Sequence, residues 1–448
     1  MVSFGDRFDL LNSKALTKIQ SIILIAVIMV AAIGTGTTFI LLSGSEQPSE
    51  TIKIGILADL GTSRGESALQ GAVLAAEQLN SEGGIKERKV EVIAEDHDVE
   101  SGTGPDMLEV SSALTRLITY HNVDFIFGQT PGGVGIVCQD IIAEHKKIFF
   151  GFGGVSDVWT QRVMNEYNKF KYYFNLANNQ TMGFKGIPES MLSLRESTGF
   201  NKVAYLGEDL YIQGPLMEAL EFALTEVYGF EVVYGGAFPL DTVDFSSYFA
   251  AAEAAGAEIL LPFIGTDTGI AFIKEYYDRQ SPMVIYSGVI SVAQSPECWE
   301  WTDGKCEHIS VSSYPIVVGY PFTNKTLLTR DAYVNRWNEN PSGSAANIYD
   351  IIRFVLPDAI ERAGTIDTNA VIEALEKTSI ETSSDRTFAF TSSHDVMFGE
   401  NLNDPEGDYR VIIIFQWQDG MQVPIFPKKI MEEAGATITF PDWPGPWD

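Results

Sequence analysis

The sequence predicts an α/β protein of two lobes, each a parallel sheet with helices on both faces, preceded by one N-terminal transmembrane helix. Three observations lead there. Short apolar runs alternate with stretches of helical period along most of the chain, its 448 residues exceed what one ordinary core organises, and an uncharged apolar segment precedes the first strand.

That segment comes first. From Ser21 to Ser43 no residue is charged, and at about 1.5 Å of rise per residue a helix of this length crosses the roughly 30 Å hydrocarbon layer. Lys14 and Lys18 precede it and Arg7 lies further back, so the positive-inside tendency places a short cytoplasmic N-terminus behind the anchor and the bulk of the chain outside the membrane. A cleaved signal peptide is the competing reading, with Gly34, Thr35 and Gly36 as its small-residue region, although signal cores usually run only about 7–15 residues. No cysteine closes the run, which argues against lipoprotein attachment, and GSEQPSE over 44–50 reads as a polar tether.

The first α/β series has strands at Lys53–Leu57, Val90–Ala94, Val123–Phe127 and Lys147–Phe152, with helices over Glu66–Ser81, Pro105–His121 and Val134–His145. A second series places strands at Val203–Leu206, Glu231–Tyr234, Glu258–Ile264 and Val284–Ser287. Its helices are Gly214–Tyr228, Phe245–Gly256 and Thr268–Arg279. Helices at Ser344–Gly364 and Asn369–Lys377 follow, then a strand at Tyr409–Trp417 and an Asp419-Gly420 turn. Repeated βαβ units pack as a parallel sheet covered on both faces. Such sheets bind ligands beyond the carboxyl ends of their strands. In the first series those ends are Asp59–Arg64, Gly128–Gly133 and Gly151–Asp157.

Composition narrows the function. With 45% apolar and 11% aromatic residues the chain folds, and a formal charge of −30 argues against nucleic acid and anionic lipid as partners. Cys298 and Cys306 flank a loop with Thr-Asp-Gly turn chemistry, and an oxidising exterior would let them form a disulfide. Two free thiols or half a metal site are the alternatives. Cys138 lies on an apolar helical face and reads as a buried small hydrophobe. Asn179-Gln180-Thr181 and Asn324-Lys325-Thr326 match the glycosylation acceptor pattern, which agrees with an exterior location.

The stretch FGQTPGGVGI, Phe127 to Ile136, is glycine-rich and opens a helix. It has neither the Lys-Ser/Thr of a P-loop nor a G-x-G-x-x-G spacing. What remains is a set of backbone N–H groups near a helix N-terminus, where a carboxylate fits as well as a phosphate. A plain tight turn is the other reading. Asp96-His97-Asp98 has metal-ligand residue types, but the preferred reading is a polar strand-end loop. There is no G-x-S-x-G, H-E-x-x-H or C-x-x-C, so nothing points to an enzyme, a metal or a cofactor.

IKIGILADLGTSRGESALQGAVLAAEQLNSEGGIKERKVEVIAEDHD, then VDFIFGQTPGGVG and IFFGFGGVSDVWTQR, resembles the type I periplasmic solute-binding proteins of branched-chain amino-acid and amide ABC transporters. ANIYDIIRFVLPDAIERAG and VIIIFQWQDGMQVPIFP extend the resemblance over nearly all of 52–430. It implies a two-lobed Venus flytrap with hinge crossings near Phe174–Ala177, Ile309–Pro315 and Asp404–Asp408. Lobe 1 would comprise 52–175 plus 315–405, and lobe 2 would comprise 176–310 plus 408–448, behind a cytoplasmic 1–20, an anchor at 21–43 and a tether at 44–51.

The resemblance also implies a ligand site. A small-molecule carboxylate would be held from Pro131 to Gly133 and at Gly154 and Ser156. The family's serine is replaced by Gly132 or Gly133, with Thr130 beside them. Arg64 stands at the neighbouring strand end. Tyr211 matches the aromatic lid of the second lobe, and IGTD with Asp267 and YSGVI with Ser287 match its wall. Where amino-acid binders commonly place an acid for the ligand's ammonium, this chain has Ser287, Gly288 and Val289. Glu208, Asp209 and Asp267 are the acidic alternatives, each of which reads equally as a helix cap. The expectation is a membrane-anchored protein delivering a small polar solute to the permease subunits of an ABC transporter. A ligand-sensing receptor of the same fold is the alternative, which the absence of any output domain disfavours.

Overall fold

The computed structural model describes residues 51–97, 106–130, 133–154, 156–177, 180–209, 215–313, 320–399 and 409–448. Strands β1 (Ile52–Ala58), β2 (Val90–Asp96), β3 (Phe125–Gln129), β4 (Ile148–Phe152) and β5 (Tyr173–Asn175) form one sheet in the order β2-β1-β3-β4-β5. Every pair in it is parallel. Apart from the edge strand β2, these strands are nearly continuous buried runs, as expected of a parallel sheet covered on both faces. Their packing is largely aromatic, with Phe127 stacked on Phe150 at 4.8 Å and Phe149 on Tyr173 at 5.7 Å.

A second sheet contains β6 (Lys202–Glu208), β7 (Glu231–Phe238), β8 (Ile259–Ile264), β9 (Val284–Ile285) and β10 (Val289–Ile290). Its order is β10-β8-β6-β7, with β9 also paired to β8. The chain turns between β9 and β10 at Ser287 and Gly288, both left-handed, with φ of 63° and 64°. Gly288 is required there, because a Cβ would collide with the Pro262 carbonyl oxygen.

A third, antiparallel sheet joins β11 (Ser310–Ser313), β14 (Ile413–Gln418) and β15 (Met421–Phe426), and a small pair links β12 (Ser379–Ile380) with β13 (Phe388–Ala389). Along β14 and its approach, Val411, Ile413, Phe415 and Trp417 enter one core while Ile412 and Ile414 enter another. This is the period-2 pattern of a strand buried on both faces.

Three apolar cores result. The first holds Ile52 to Leu176 together with Tyr333 to Val396. The other two lie on either side of the second sheet and draw on residues from Ile187 to Val311 and from Val411 onward. Tyr320 and Phe322 pack into the second lobe's core.

Several elements differ from expectation. The helix expected over Ser344–Gly364 runs as Gly343–Asp350 and Leu356–Ala363 around a π-turn at Ile351–Val355. Pro357 supplies the reason: it has no N–H for the Arg353 carbonyl, and the wider register sits just ahead of it. A 19-residue helix, Gln180–Thr198, runs through Pro188 where the sequence shows punctuation. Gly186 within it lets Ile412 close onto the helix backbone. Helices Asp157–Asn165 and Thr326–Trp337 and strand β15 were likewise not foreseen.

The expected disulfide is corrected. Cys298 and Cys306 are free thiols, fully buried, and both belong to the second lobe's core. Apolar packing, with Thr302 Oγ1 donating to the Cys298 carbonyl at 2.7 Å, closes the loop that a covalent bridge was expected to close. Cys138 is also a buried free thiol, its pKa pushed up to about 12 by burial. The apolar stretch 21–43 lies outside the described residues, among which no helix is long and apolar enough to cross a membrane.

Candidate functional site

The loop after β1 is fixed by its own polar groups. Asp59 Oδ1 accepts from Gly61 N at 3.2 Å, Asp96 Oδ1 accepts from Leu60 N at 3.3 Å, and Gln129 Oε1 accepts from Asp59 N at 3.2 Å. Thr62 caps the helix Ser63–Ser81 by accepting from Gly65 N. Gly65 is obligatory because a Cβ would overlap the Asp59 carbonyl. This scaffold presents Arg64 over the carboxyl edge of the first sheet, with Nη1 3.5 Å from the Gly153 carbonyl just beyond β4.

Arg64 also reaches the other lobe. Its Nη2 lies 3.5 Å from Ser291 Oγ, immediately after β10. The carboxyl edges of the two parallel sheets therefore meet at this guanidinium. A second contact between the lobes pairs Asp157 with Thr181, whose N and Oγ1 donate at 3.1 and 2.5 Å. Ser291 and Thr181 were not foreseen. Ser291 directly follows the apolar pair Val289–Ile290, and a polar residue at a strand's carboxyl end was the available signal.

The glycine-rich stretch divides by role. Gly128 makes room for the Phe149 ring, and Gly135 for Trp159, whose indole a Cβ would approach to 2.5 Å. Gly154 is pressed against the Thr130 carbonyl and Trp159. Gly133 is different: its φ is −80°, it starts the helix Val134–His145, and the nearest atom to a Cβ would be Met107 Cε at 3.4 Å. Among the described glycines of this stretch, Gly128 and Gly135 thus serve packing, while Gly133 has open space. Gly132 and Pro131 lie outside the described residues.

The remaining expected residues are spread between cleft and core. Thr130 is fully buried, its N and Oγ1 bonded to the Phe152 carbonyl at 2.9 and 3.3 Å. Ser156 caps the helix Asp157–Asn165 by accepting from Val158 N at 3.2 Å. Ser287 is fully buried and shares a 3.0 Å hydrogen bond with Ser190. Asp267 is exposed at the start of the helix Thr268–Arg279 and caps no helical N–H. Tyr211 lies outside the described residues. Glu208 is fully buried: it accepts from Gly265 N at 2.9 Å and Thr266 N at 3.2 Å, and from the Thr266 hydroxyl. It ties the end of β6 to the end of β8. The structure thus brings Arg64 and Gly153–Gly154 together at the cleft and turns Thr130, Ser287 and Glu208 into the protein.

Behind the cleft, polar side chains hold the chain crossings. Asn175 bonds the His394 carbonyl through its N–H at 2.8 Å and Asp395 through Nδ2 at 3.0 Å. Arg410 forms a buried bidentate pair with Asp385 at 2.9 and 2.6 Å and donates to the Leu176 carbonyl at 2.9 Å. The crossing expected at Asp404–Asp408 lies outside the described residues.

His97, from the possible metal triplet, is fully buried with neither ring nitrogen hydrogen-bonded, and burial holds its pKa below the ordinary value. Asp98 lies outside the described residues, among which no cluster suited to a metal ion occurs.

The periplasmic binding protein family model matches residues 51–400. The Leu/Ile/Val-binding protein homolog 7 of Brucella melitensis biotype 1 is 23% identical over 405 residues, covering 86% of this chain and 94% of that relative. Among solved structures, one from Silicibacter pomeroyi, described as a branched-chain amino acid ABC transporter, superposes with a TM-score of 0.71 at 18% identity, covering 88% of this chain and all of that one. The branched-chain amino acid transporter substrate-binding protein LivJ of Streptococcus pneumoniae, in complex with isoleucine, gives a TM-score of 0.67 at 18% identity over 83% of this chain and 97% of its own.

Proposed function

The chain belongs to the periplasmic binding protein family, and from that premise we propose that it is an extracytoplasmic solute-binding protein that captures a small polar solute between its lobes and delivers it to an ABC permease. The observation that carries this reading is Arg64, which spans from the carboxyl edge of one parallel sheet to that of the other. A cleft whose two walls meet through one side chain changes its contacts whenever the lobes separate, and a solute that bridges both walls favours closure. The relatives' names point to amino acids, so an amino acid, an amide or a related carboxylate is the proposed solute class. The uncharged run 21–43, with lysines before it, supports retention on the outer face of the cell membrane through an uncleaved anchor.

Thermal melts of the full chain in mild detergent test the reading. A solute present at about 100 times its Kd adds roughly 2.7 kcal/mol to stability. We expect at least one amino acid, amide or small carboxylate to raise the melting temperature saturably. A flat response across all three classes would overturn the proposal. Native material whose N-terminus begins near Ser45 would overturn the anchor.

A further inference from the structure

We infer that the solute is an organic carboxylate without an ammonium group, and that Arg64 is the residue that reads its charge. The inference rests on the solute-binding reading above and narrows its ligand class.

Two observations converge. The first is an unneutralised cation. The chain carries 60 acidic residues against 30 basic ones, and Arg116, Arg279, Arg336, Arg362 and Arg410 each sit on a carboxylate at 2.6–3.0 Å. Arg64 does not: its contacts are a carbonyl and a hydroxyl, both at 3.5 Å, and among the described residues no carboxylate pairs with it. In so acidic a protein, a guanidinium between two lobes that pairs with no carboxylate among the described residues is suited to receive an anion. Its planar fork matches a carboxylate bidentately.

The second observation is what the opposite wall lacks. Glu208, the buried acid at that edge, already spends both carboxylate oxygens on Gly265 and Thr266. Ser287 is turned inward to Ser190, and Gly288 and Val289 are uncharged. Asp267 is exposed to water, where a single ion pair contributes little. On the first wall, Asp59 and Asp96 are engaged by the Gly61 and Leu60 amides. An amino acid would bring its ammonium close to the Arg64 charge with, among the described residues, no buried acid released to meet it. A plain carboxylate meets only the attraction.

The test compares leucine, 4-methylpentanoate (the same skeleton without the amine) and leucinamide (without the carboxylate), with benzoate and succinate as further anions. Each is titrated calorimetrically into the full chain and into the Arg64→Gln, Arg64→Lys and Asp267→Asn variants. We expect one or more of the amine-free carboxylates to bind, leucinamide not to bind, and leucine to bind at least tenfold more weakly than the best anion. Arg64→Gln should raise the anion Kd at least tenfold, with partial recovery in Arg64→Lys and no change in Asp267→Asn. Melting of each unliganded variant at the wild-type temperature shows that it is folded. Tighter binding of leucine, especially if abolished by Asp267→Asn, overturns the inference and leaves the solute-binding reading intact. Anion binding indifferent to Arg64→Gln overturns the role of Arg64. Silence toward all five compounds, and toward the wider amino-acid and amide set, overturns both.

Discussion

The two walls of the cleft are built on opposite principles. On the first lobe the strand ends are shaped by glycines that admit neighbouring rings and carbonyls, and Arg64 beside them is held, among the described residues, by two long contacts. On the second lobe the strand ends are tied together by buried side chains, Glu208 to the Gly265–Thr266 loop and Ser287 to Ser190. The difference teaches where binding chemistry is available. A wall whose polar groups satisfy one another is rigid and chemically spent, whereas a wall shaped by missing side chains leaves a charge and open space to be used.

Three experiments break or sharpen this contrast. The largest effect is expected on the second wall. Glu208→Ala would leave the Gly265 and Thr266 amides without their buried acceptor, a loss of about 3 kcal/mol in chemical denaturation, since each orphaned buried group costs roughly 1–3 kcal/mol. A loss under about 1 kcal/mol would mean that this wall is not tied by Glu208. On the first wall the glycines should separate by role. Gly154→Ala forces a methyl against the Thr130 carbonyl and Trp159 and should cost about 2 kcal/mol through overpacking. Gly133→Ala, with space around it and an ordinary φ, should stay within about 0.5 kcal/mol. Equal costs at the two positions would erase the distinction between packing glycines and the open one.

The third concerns pH. His97 has its pKa lowered by burial, so between its folded value and the ordinary value near 6.5 the unfolded chain binds more protons than the folded one. The stability it contributes is full above pH 6.5 and is lost as pH falls toward the lowered value. His308 and His394 are shifted the same way by burial and add to the trend. Melting temperatures should therefore decline from pH 7 to pH 5, and the decline should be shallower in His97→Leu. An identical slope in that variant would remove His97 from the account.

Much of this architecture was legible in the residues. The helices Val134–His145 and Thr268–Arg279 fall where their apolar period and flanking turns place them, and strands β1–β4 and β6–β9 begin or end within a few residues of their apolar runs, whereas the short β5 and β10 were not foreseen. The helix through Pro188 was not legible, because residues it packs against, such as Ile412 closing onto Gly186, lie more than two hundred positions away. Of the site, Arg64 and Gly154 could be placed near a strand's carboxyl end from pattern alone. That Thr130 and Ser287 face inward could not, since a hydroxyl at a strand's carboxyl end looks the same in sequence whether it meets a ligand, the Phe152 carbonyl or Ser190.

The sequence by itself therefore determined the alternation of strands and helices, the family, the acidic surface and the uncharged N-terminal run, because each depends on local period, composition or contiguous motif. Only the tertiary structure decided which acid is spent and which cation is left over. Glu208 and Arg64 have the same standing as charged residues in a string of letters. Their difference is made by partners 57 and 227 positions away, which folding brings within hydrogen-bond reach of one carboxylate and holds at 3.5 Å from one guanidinium.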